Sequence, residues 1–284
     1  MFHIKPLPYT DVNEKIQVVY DDIASTLEIQ NVPVFFQLMA NFEEYLIYIW
    51  PQIKKNIQDS QFKKLSQQIK EFTESSLNEV YEPENAILKY ISNNLNSEVS
   101  RSLIESDISK VIVLNSDLSL IFISLREAVK GWAVGAKKLE DLQHHMNGYT
   151  YKPKSSDPVR HVKDMFFEEF SMGRINSQLA NAGNELEISL YSKFLTLLLT
   201  EMEELVKKKE YLYKRVQLEE NILDKIDQFP HIIDSSYSKV SRFAYKYPYF
   251  DELLYMLSET FPTLVVSKLT TSVLGDILLR KIHQ

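Results

Sequence analysis

The chain has 284 residues, 44% apolar and 12% aromatic, and carries a formal net charge of −7 at pH 7. This apolar content is enough for a substantial core and excludes a disordered chain, while the negative charge argues against nucleic acid as a partner. The chain lacks cysteine, which excludes disulfides, thiolate nucleophiles, iron–sulfur clusters and cysteine-ligated zinc and fits a cytoplasmic protein.

Apolar residues recur at three- and four-residue spacing along most of the chain, which predicts an all-α fold. Only 6 glycines and 10 prolines are present, which favours long helices over many short strands. Asp11 is predicted to cap the first helix, with Glu14 completing a capping box. Val32-Pro33 is predicted to open the second helix. The helices predicted in the first half of the chain cover residues 11–27, 33–53, 62–80, 97–114 and 118–139. A further helix is predicted to begin at 82–85.

The clearest linker lies near the middle of the chain, where turn-forming residues are concentrated. It divides the chain into a first helical unit at 1–146, a linker at 147–158 and a second helical unit at 159–284. In the second unit the predicted helices cover residues 162–174, 186–210, 213–228, 235–247, 249–259 and 263–282.

The two predicted units share a pattern of residues in the same order. An aromatic residue followed by two acids and then an aromatic-Leu helix occurs at 19–23 and 40–50, and again at 166–170 and 189–199. Such a period predicts either two similar helical units that pack together or two domains strung along the chain. In the packed arrangement, the seam between the units is a natural position for a ligand pocket.

No membrane-spanning segment is predicted. The most apolar stretch, 111–125, is interrupted by Asn115 and Asp117, which makes it too short and too polar to cross a bilayer. The N-terminus also lacks the apolar stretch of a signal peptide. We therefore expect a cytoplasmic protein that does not associate with membranes.

Two groups of residues have the types needed for a metal site or a catalytic triad. His144 and His145 are adjacent, so they point to different helix faces, and no His-Glu-x-x-His motif occurs. No metal is therefore predicted. His231, Asp234 and Ser235 contain triad residue types but lack the Gly-x-Ser-x-Gly elbow, and a triad is defined by geometry rather than by composition.

Paired acids and one asparagine remain as candidates. Asp21-Asp22 and Glu168-Glu169 are either acid–base pairs or, more simply, a helix surface that recurs with the repeat. Asn115 lies inside an apolar helix, where a buried amide needs hydrogen-bond partners. It is either a structural residue or part of a polar pocket.

With these motifs in view, the chain resembles the group I (DehI-type) 2-haloacid dehalogenases, which have an AhpD-like helical fold. The resemblance covers nearly the whole chain, although the Cys-x-x-Cys of the peroxidase-type AhpD relatives is absent. The motifs that carry it are Tyr20-Asp21-Asp22-Ile23, Val32-Pro33, Ala40 to Leu46 with Trp50, Asn115 before Leu118 to Leu125, Lys193-Phe194-Leu195, and Glu201-Met202.

The resemblance implies two repeats packed as a pseudo-dimer around a buried site. In that family an aspartate activates water for direct attack on C2 of a short 2-haloalkanoate, without a metal or organic cofactor. Aligned to this chain, Asn184 stands at the position of that aspartate and Gly183 at the serine before it. Asn115 matches the asparagine beside the water, and Val34 matches a pocket tryptophan.

Asn184 is the important departure, because an amide cannot take a proton from water. Three explanations remain: a different reaction in the same pocket, binding of a small acid without turnover, or a shifted register in which Glu185 or Glu187 supplies the carboxylate. The hypotheses are thus a cofactor-free hydrolase of carbon–halogen bonds or a small-acid-binding protein, either a monomer or a homodimer.

Overall fold

The computed structural model describes residues 3–94, 98–130 and 185–281, and every regular element in those ranges is helical. The predicted all-α class is therefore confirmed. The α-helices are α1 Glu14–Leu27, α2 Val34–Met39, α3 Glu43–Ile57, α4 Ser60–Val80, α5 Asn85–Asn94, α6 Glu98–Val129, α7 Glu185–Leu205, α8 Lys209–Ile226, α9 Tyr237–Ala244, α10 Phe250–Tyr255 and α11 Phe261–Lys281. Short helical turns occupy Tyr9–Asp11, Ala40–Phe42 and Met256–Thr260.

The start of α1 differs from the prediction. Asn13, not Asp11, is the N-cap, because its extended backbone lets its side chain accept a hydrogen bond from the Ile16 amide at 3.1 Å. Asp11 lies instead in the preceding 3₁₀ turn. The predicted N-cap was therefore wrong by two residues, and Glu14 is the first residue of the helix rather than the acidic partner of a capping box.

Val32-Pro33 does precede a helix, since α2 begins at Val34 with Pro33 as its N-cap. The single helix predicted over 33–53 is divided, however. Phe42 adopts φ −124° and ψ 66°, which ends the 3₁₀ turn before α3 begins. Its buried ring packs edge-on against Phe250 at 5.1 Å, so tertiary packing accounts for the break.

Helix α6 is continuous through the point where the sequence predicted a boundary at 115–117. The three polar residues there are buried yet bonded. Asn115 donates to Ser272, Ser116 donates back to the Ile112 carbonyl at 2.8 Å, and Asp117 pairs with Lys63. Because no glycine or proline interrupts the backbone and the polar groups have partners, the helix passes through unbroken.

The described residues form two compact units, each assembled from separated stretches of chain. The first contains residues 3–65, 117–130 and 222–265, and the second contains 66–94, 98–116, 185–221 and 266–281. The predicted division at 147–158 lies outside the described residues. The repeat and its pseudo-dimer packing therefore stay predictions.

The first unit has an aromatic centre. Phe35 of α2 lies 4.7 Å from Phe122 of α6 and 5.2 Å from Phe261 of α11, measured between ring centroids, and all three rings are fully buried. Each such pair adds about 0.5–1.5 kcal/mol beyond the burial of its area. These contacts join parts of the chain more than 80 residues apart.

The second unit packs α11 closely against α6 and α7. Gly275 of α11 is buried so closely that a Cβ there would lie 3.0 Å from Leu198 Cδ2 and 3.4 Å from Ile108 Cδ1. Elsewhere in this unit, the Tyr81 hydroxyl donates to Glu201 at 2.7 Å. The second unit is thus held by close apolar packing and by a hydrogen bond between side chains of distant helices.

Two described stretches, Ile104–Val129 and Phe250–Lys281, are long and apolar enough to cross a membrane. Their most apolar windows are 72% and 83% buried inside the protein. Core helices of this kind pass the same test, so their length and hydropathy are weak evidence for membrane insertion.

Candidate functional site

Asn115 lies in the interior of the second unit and is 1% exposed. Its side-chain amide donates to the Ser272 hydroxyl of α11 at 3.3 Å, and Ser272 in turn donates to the Lys268 carbonyl at 2.7 Å. The sequence left Asn115 as either a structural residue or part of a polar pocket. Either role requires a polar neighbour, and Ser272 is such a neighbour.

Lys268 is a feature that sequence reasoning missed. It is 1% exposed, and it lies one helical turn before Ser272, on the same side of α11. A lysine is almost never fully buried unless it is paired. The available signal was a single cation inside the apolar run from Phe261 to Leu279. The Asn115 amide, the Ser272 hydroxyl and the Lys268 backbone carbonyl are linked by hydrogen bonds, and we call these three buried residues the Asn115 cluster.

Asp117 is the buried carboxylate nearest to Asn115 along the chain. Its Oδ2 atom accepts from Lys63 Nζ at 2.6 Å, and the residue is 2% exposed. Residues two apart on a helix do not share a face, so Asp117 does not point the way Asn115 points. Asp117 is thus an ion-paired residue of the first unit rather than a base beside Asn115.

The other predicted site residues are distributed as follows. Val34 is the first residue of α2, 9% exposed, and belongs to the first unit. Gly183 and Asn184 lie outside the described residues, so the proximity of Asn184 to Asn115 stays a prediction. Glu185 is the first residue of α7, and the described part does not include its side chain.

The triad alternative is not supported by the geometry. His231 Nε2 lies 3.5 Å from Asp59 Oδ2, whereas Ser235 is fully buried and shares a 2.8 Å hydrogen bond with the Tyr45 hydroxyl. Asp234 accepts instead from the Ser236 hydroxyl at 2.8 Å. Because the three candidates have three different partners, they cannot act as a nucleophile–base–acid relay.

The first acid pair has structural partners. Asp22 accepts from the Trp50 indole at 2.7 Å and from Lys54 at 2.6 Å, while Asp21 accepts from the Tyr9 hydroxyl at 3.3 Å. Burial alone would raise the pKa of Asp22, but these two donors outweigh it and lower that pKa. A carboxylate stabilised in this way is a poor base. Glu168, Glu169, His144 and His145 lie outside the described residues.

Within the described ranges no three histidine or acidic side chains come together closely enough to hold a metal ion.

Comparison with solved structures shows which known proteins share this fold. The chain superposes on D-2-haloacid dehalogenase in complex with L-LA with a TM-score of 0.71 and 13% identity, covering 98% of each chain. A mutant D-2-haloacid dehalogenase gives a TM-score of 0.69 at 14% identity, covering 98% of this chain and 97% of the other. A mutant in complex with D-2-CPA gives 0.61 at 16% identity, covering 100% and 96%.

These similarities show that the protein has a haloacid dehalogenase-like helical fold, as the sequence resemblance predicted. At such low identity they establish the fold alone. No family model matches the sequence, and no curated protein matches it.

Proposed function

We propose that this protein binds short 2-substituted carboxylic acids on a dehalogenase-like scaffold, and that it hydrolyses carbon–halogen bonds only slowly. The supporting observation is the fold, which it shares over nearly its whole length with D-2-haloacid dehalogenases, including complexes with L-LA and D-2-CPA. The slow reaction follows from Asn184, which stands where the family resemblance places the aspartate that activates water.

The Asn115 cluster supplies groups suited to such a ligand. The Lys268 ammonium provides the positive charge that a carboxylate requires, and it is buried, where a charge pair is screened least. The Asn115 amide offers a donor and an acceptor close to Ser272. In this proposal Lys268 holds the carboxylate, and Asn115 orients the substituent at C2.

Loss of the base explains the slow chemistry. A positioned general base contributes about 10²–10⁴-fold to a rate. An amide has no basic lone pair of useful pKa, so water beside Asn184 is not deprotonated. The expected result is a protein that binds the acid and releases little halide.

A second candidate is an active dehalogenase in which another carboxylate takes the proton. Helix α7 begins at Glu185, so Glu185 and Glu187 both lie in its first turn, directly after Asn184.

The deciding experiment is halide release from both enantiomers of 2-chloropropionate and 2-bromopropionate. The natural protein is compared with Asn184→Asp, and we expect the variant to release halide about 10²–10⁴-fold faster than the natural protein. If the natural protein is already as fast as Asn184→Asp, then Asn184 is not at the base position. Glu185→Gln and Glu187→Gln then identify the carboxylate.

Binding is measured separately, because a site without turnover is invisible to a halide assay. Saturating 2-chloropropionate should raise the unfolding temperature, since a ligand at 100 times its Kd stabilises by about 2.7 kcal/mol. Lys268→Gln and Asn115→Ala should abolish that rise. Val113→Ala is the matched control, because Val113 lies on α6 two residues from Asn115 and is 41% exposed. A rise of equal size in all four proteins would contradict the proposal.

A further inference from the structure

An open depression on the surface of the first unit is lined in part by an arginine that contacts aromatic rings rather than a carboxylate. The depression has a volume of about 510 Å³ and is lined by Glu44, Ile47, Tyr48, Arg242 and Phe243. Volumes of this size are typical of small-molecule sites, which combine mostly apolar walls with a few polar groups. None of these residues belongs to the Asn115 cluster.

Arg242 of α9 is held by aromatic rings rather than by an acid. Its guanidinium carbon lies 4.8 Å from the centre of the Tyr48 ring and 4.5 Å from that of Phe243. Such cation–π contacts fix the side chain in position. They use the ring faces and therefore consume none of the five strong N–H donors of the guanidinium.

Arg242 differs in this respect from the other arginines in the described ranges. Each of the other four pairs with a carboxylate, namely Arg101 with Glu105, Arg126 with Glu127, Arg215 with Glu219, and Arg280 with Glu74 and Asp276. No described residue accepts a hydrogen bond from Arg242 or forms an ion pair with it. A fixed guanidinium with available donors is suited to bidentate recognition of a carboxylate.

The surrounding charges leave Arg242 as the uncompensated cation of the depression. Glu44 is on the same wall but forms an ion pair with Lys246. Asp234, the acid beneath Tyr48, accepts from the Ser236 hydroxyl and lies 3.9 Å from Lys239. Of the two charged residues that line the depression, Glu44 and Arg242, only Glu44 has an ion-pair partner among the described residues.

The apolar residues that line the depression indicate which chemical groups the ligand needs besides its carboxylate. Phe243 is 4% exposed and forms the floor, while Ile47 is 38% exposed at the rim. The Tyr48 hydroxyl donates to the Asp234 carbonyl at 2.9 Å, which holds its ring in place beside Arg242. A ligand with an apolar body next to its carboxylate matches this arrangement.

We propose that this depression binds a small amphipathic carboxylic acid, whose carboxylate pairs with Arg242 and whose apolar body packs on Ile47, Tyr48 and Phe243. This inference goes beyond the proposed function, which concerns the Asn115 cluster.

The test uses 3-phenylpropionate as the probe, with 3-phenyl-1-propanol and 2-phenylethylamine as neutral and cationic partners of similar shape. Ligand-detected NMR titration is suitable because it registers weak binding. We expect saturable binding of the acid, and binding at least about tenfold weaker for the alcohol and the amine, since hydrogen bonds to charged groups are the strong ones.

Two variants disrupt the site in independent ways. Arg242→Gln removes the cation, and Ile47→Glu places a negative charge at the rim while leaving Arg242 intact; each should weaken binding about tenfold or more. Lys55→Gln is the matched control, because Lys55 is an exposed lysine on α3, the helix that carries Ile47 and Tyr48, and it does not line the depression. It should change binding by less than about twofold. Thermal unfolding of every variant checks that it is folded.

Several outcomes would overturn the inference. They are no saturable binding of 3-phenylpropionate, equal binding of the alcohol, or affinity unchanged by Arg242→Gln. Affinity that survives Arg242→Gln but is lost in Asn115→Ala would assign the acid to the Asn115 cluster instead. That result would leave the proposed function standing.

Discussion

Glu252 of α10 is a buried carboxylate whose hydrogen-bond donors come from the N-terminal segment of the chain. Its side chain is 4% exposed and accepts three hydrogen bonds from the N-terminal segment: His3 Nδ1 at 2.5 Å, the His3 amide at 2.7 Å and the Ile4 amide at 3.2 Å. The His3 ring also stacks on Tyr249 at 4.2 Å. Glu252 thus anchors the beginning of the chain to the first unit.

The pH dependence of this anchor can be predicted. Burial alone would raise the pKa of Glu252, but the bonds from His3 and Ile4 outweigh it and hold the pKa below its ordinary value of 4.5. A carboxyl group with a lowered folded-state pKa stabilises the protein above its unfolded pKa. That stabilisation is lost as the pH falls through the folded pKa. We expect stability to fall with acid from about pH 4.5 downward, and Glu252→Gln to remove part of that dependence.

The measurement is the free energy of urea unfolding from pH 7 to pH 3. At pH 7, Glu252→Gln should cost on the order of 1–3 kcal/mol, because a charged acceptor is replaced by a neutral one. Asp251→Asn is the control, since Asp251 is the exposed neighbour on the same helix. Parallel pH profiles for the natural protein and Glu252→Gln would show that the anchor does not contribute to acid stability.

Individual residues also show the limit of reading chemistry from residue types. His231, Asp234 and Ser235 are close in sequence, yet each bonds elsewhere, and Ser235 is fully buried against Tyr45, 190 residues away. Asn115 was recognised from its apolar surroundings. Lys268 was not, although the apolar run around it carries the same signal. A single cation in the apolar run of a buried helix indicates a buried polar site as clearly as a buried asparagine does.

At the scale of elements, helix α11 shows how one glycine permits close packing. The residue is Gly275, and its hydrogen points at Leu198, which is fully buried. A methyl group there would improve helix propensity by about 1 kcal/mol. It would also press on Leu198 Cδ2 at 3.0 Å, and overpacking of a close-packed core costs about 1–3 kcal/mol.

We therefore expect Gly275→Ala to destabilise the protein by about 1 kcal/mol, and Gly275→Val by more. Chemical unfolding gives both values. The double variant Gly275→Ala with Leu198→Ala should lose less than the sum of the two single variants, because the new methyl partly fills the cavity left by leucine. Stabilisation by Gly275→Ala, or strict additivity in the double variant, would show that α11 and α7 are not in close contact there.

Helix α6 shows the opposite situation, in which local sequence signals a break that does not occur. Asn, Ser and Asp in succession compete with helical hydrogen bonding and often mark helix ends. Here Ser116 bonds back to the preceding turn, while Asn115 and Asp117 find partners on other helices. Partners within α6 and on other helices thus bond the side chains that would otherwise have favoured a helix end.

On the scale of the whole molecule, each compact unit combines distant stretches of chain. In the first unit, Phe62 packs on Phe229 at 5.2 Å, and Phe42 packs on Phe250 at 5.1 Å. The residues 222–265 that provide these partners belong to the second half of the sequence. The first unit is therefore incomplete without the C-terminal half of the chain.

This organisation predicts that the halves do not fold alone. A fragment of residues 1–146 should lack a cooperative urea transition, because it exposes the apolar faces that Phe229 and Phe250 cover. Co-expression of fragments 1–146 and 147–284 should restore a soluble complex with a cooperative transition. A cooperative transition of fragment 1–146 by itself would show that the first predicted repeat is an autonomous domain.

The sequence by itself determined the helical class, most of the helices, the buried position of Asn115 and the resemblance to 2-haloacid dehalogenases that the fold confirms. These follow from local spacing, since a helix depends on residues three and four apart. The tertiary structure decided the Asn13 cap, the continuity of α6, the separation of the triad residues and the pairing of Asn115 with Ser272. The physical reason is distance along the chain: Asn115 and its partner are 157 residues apart, and their contact exists only after α6 and α11 have packed.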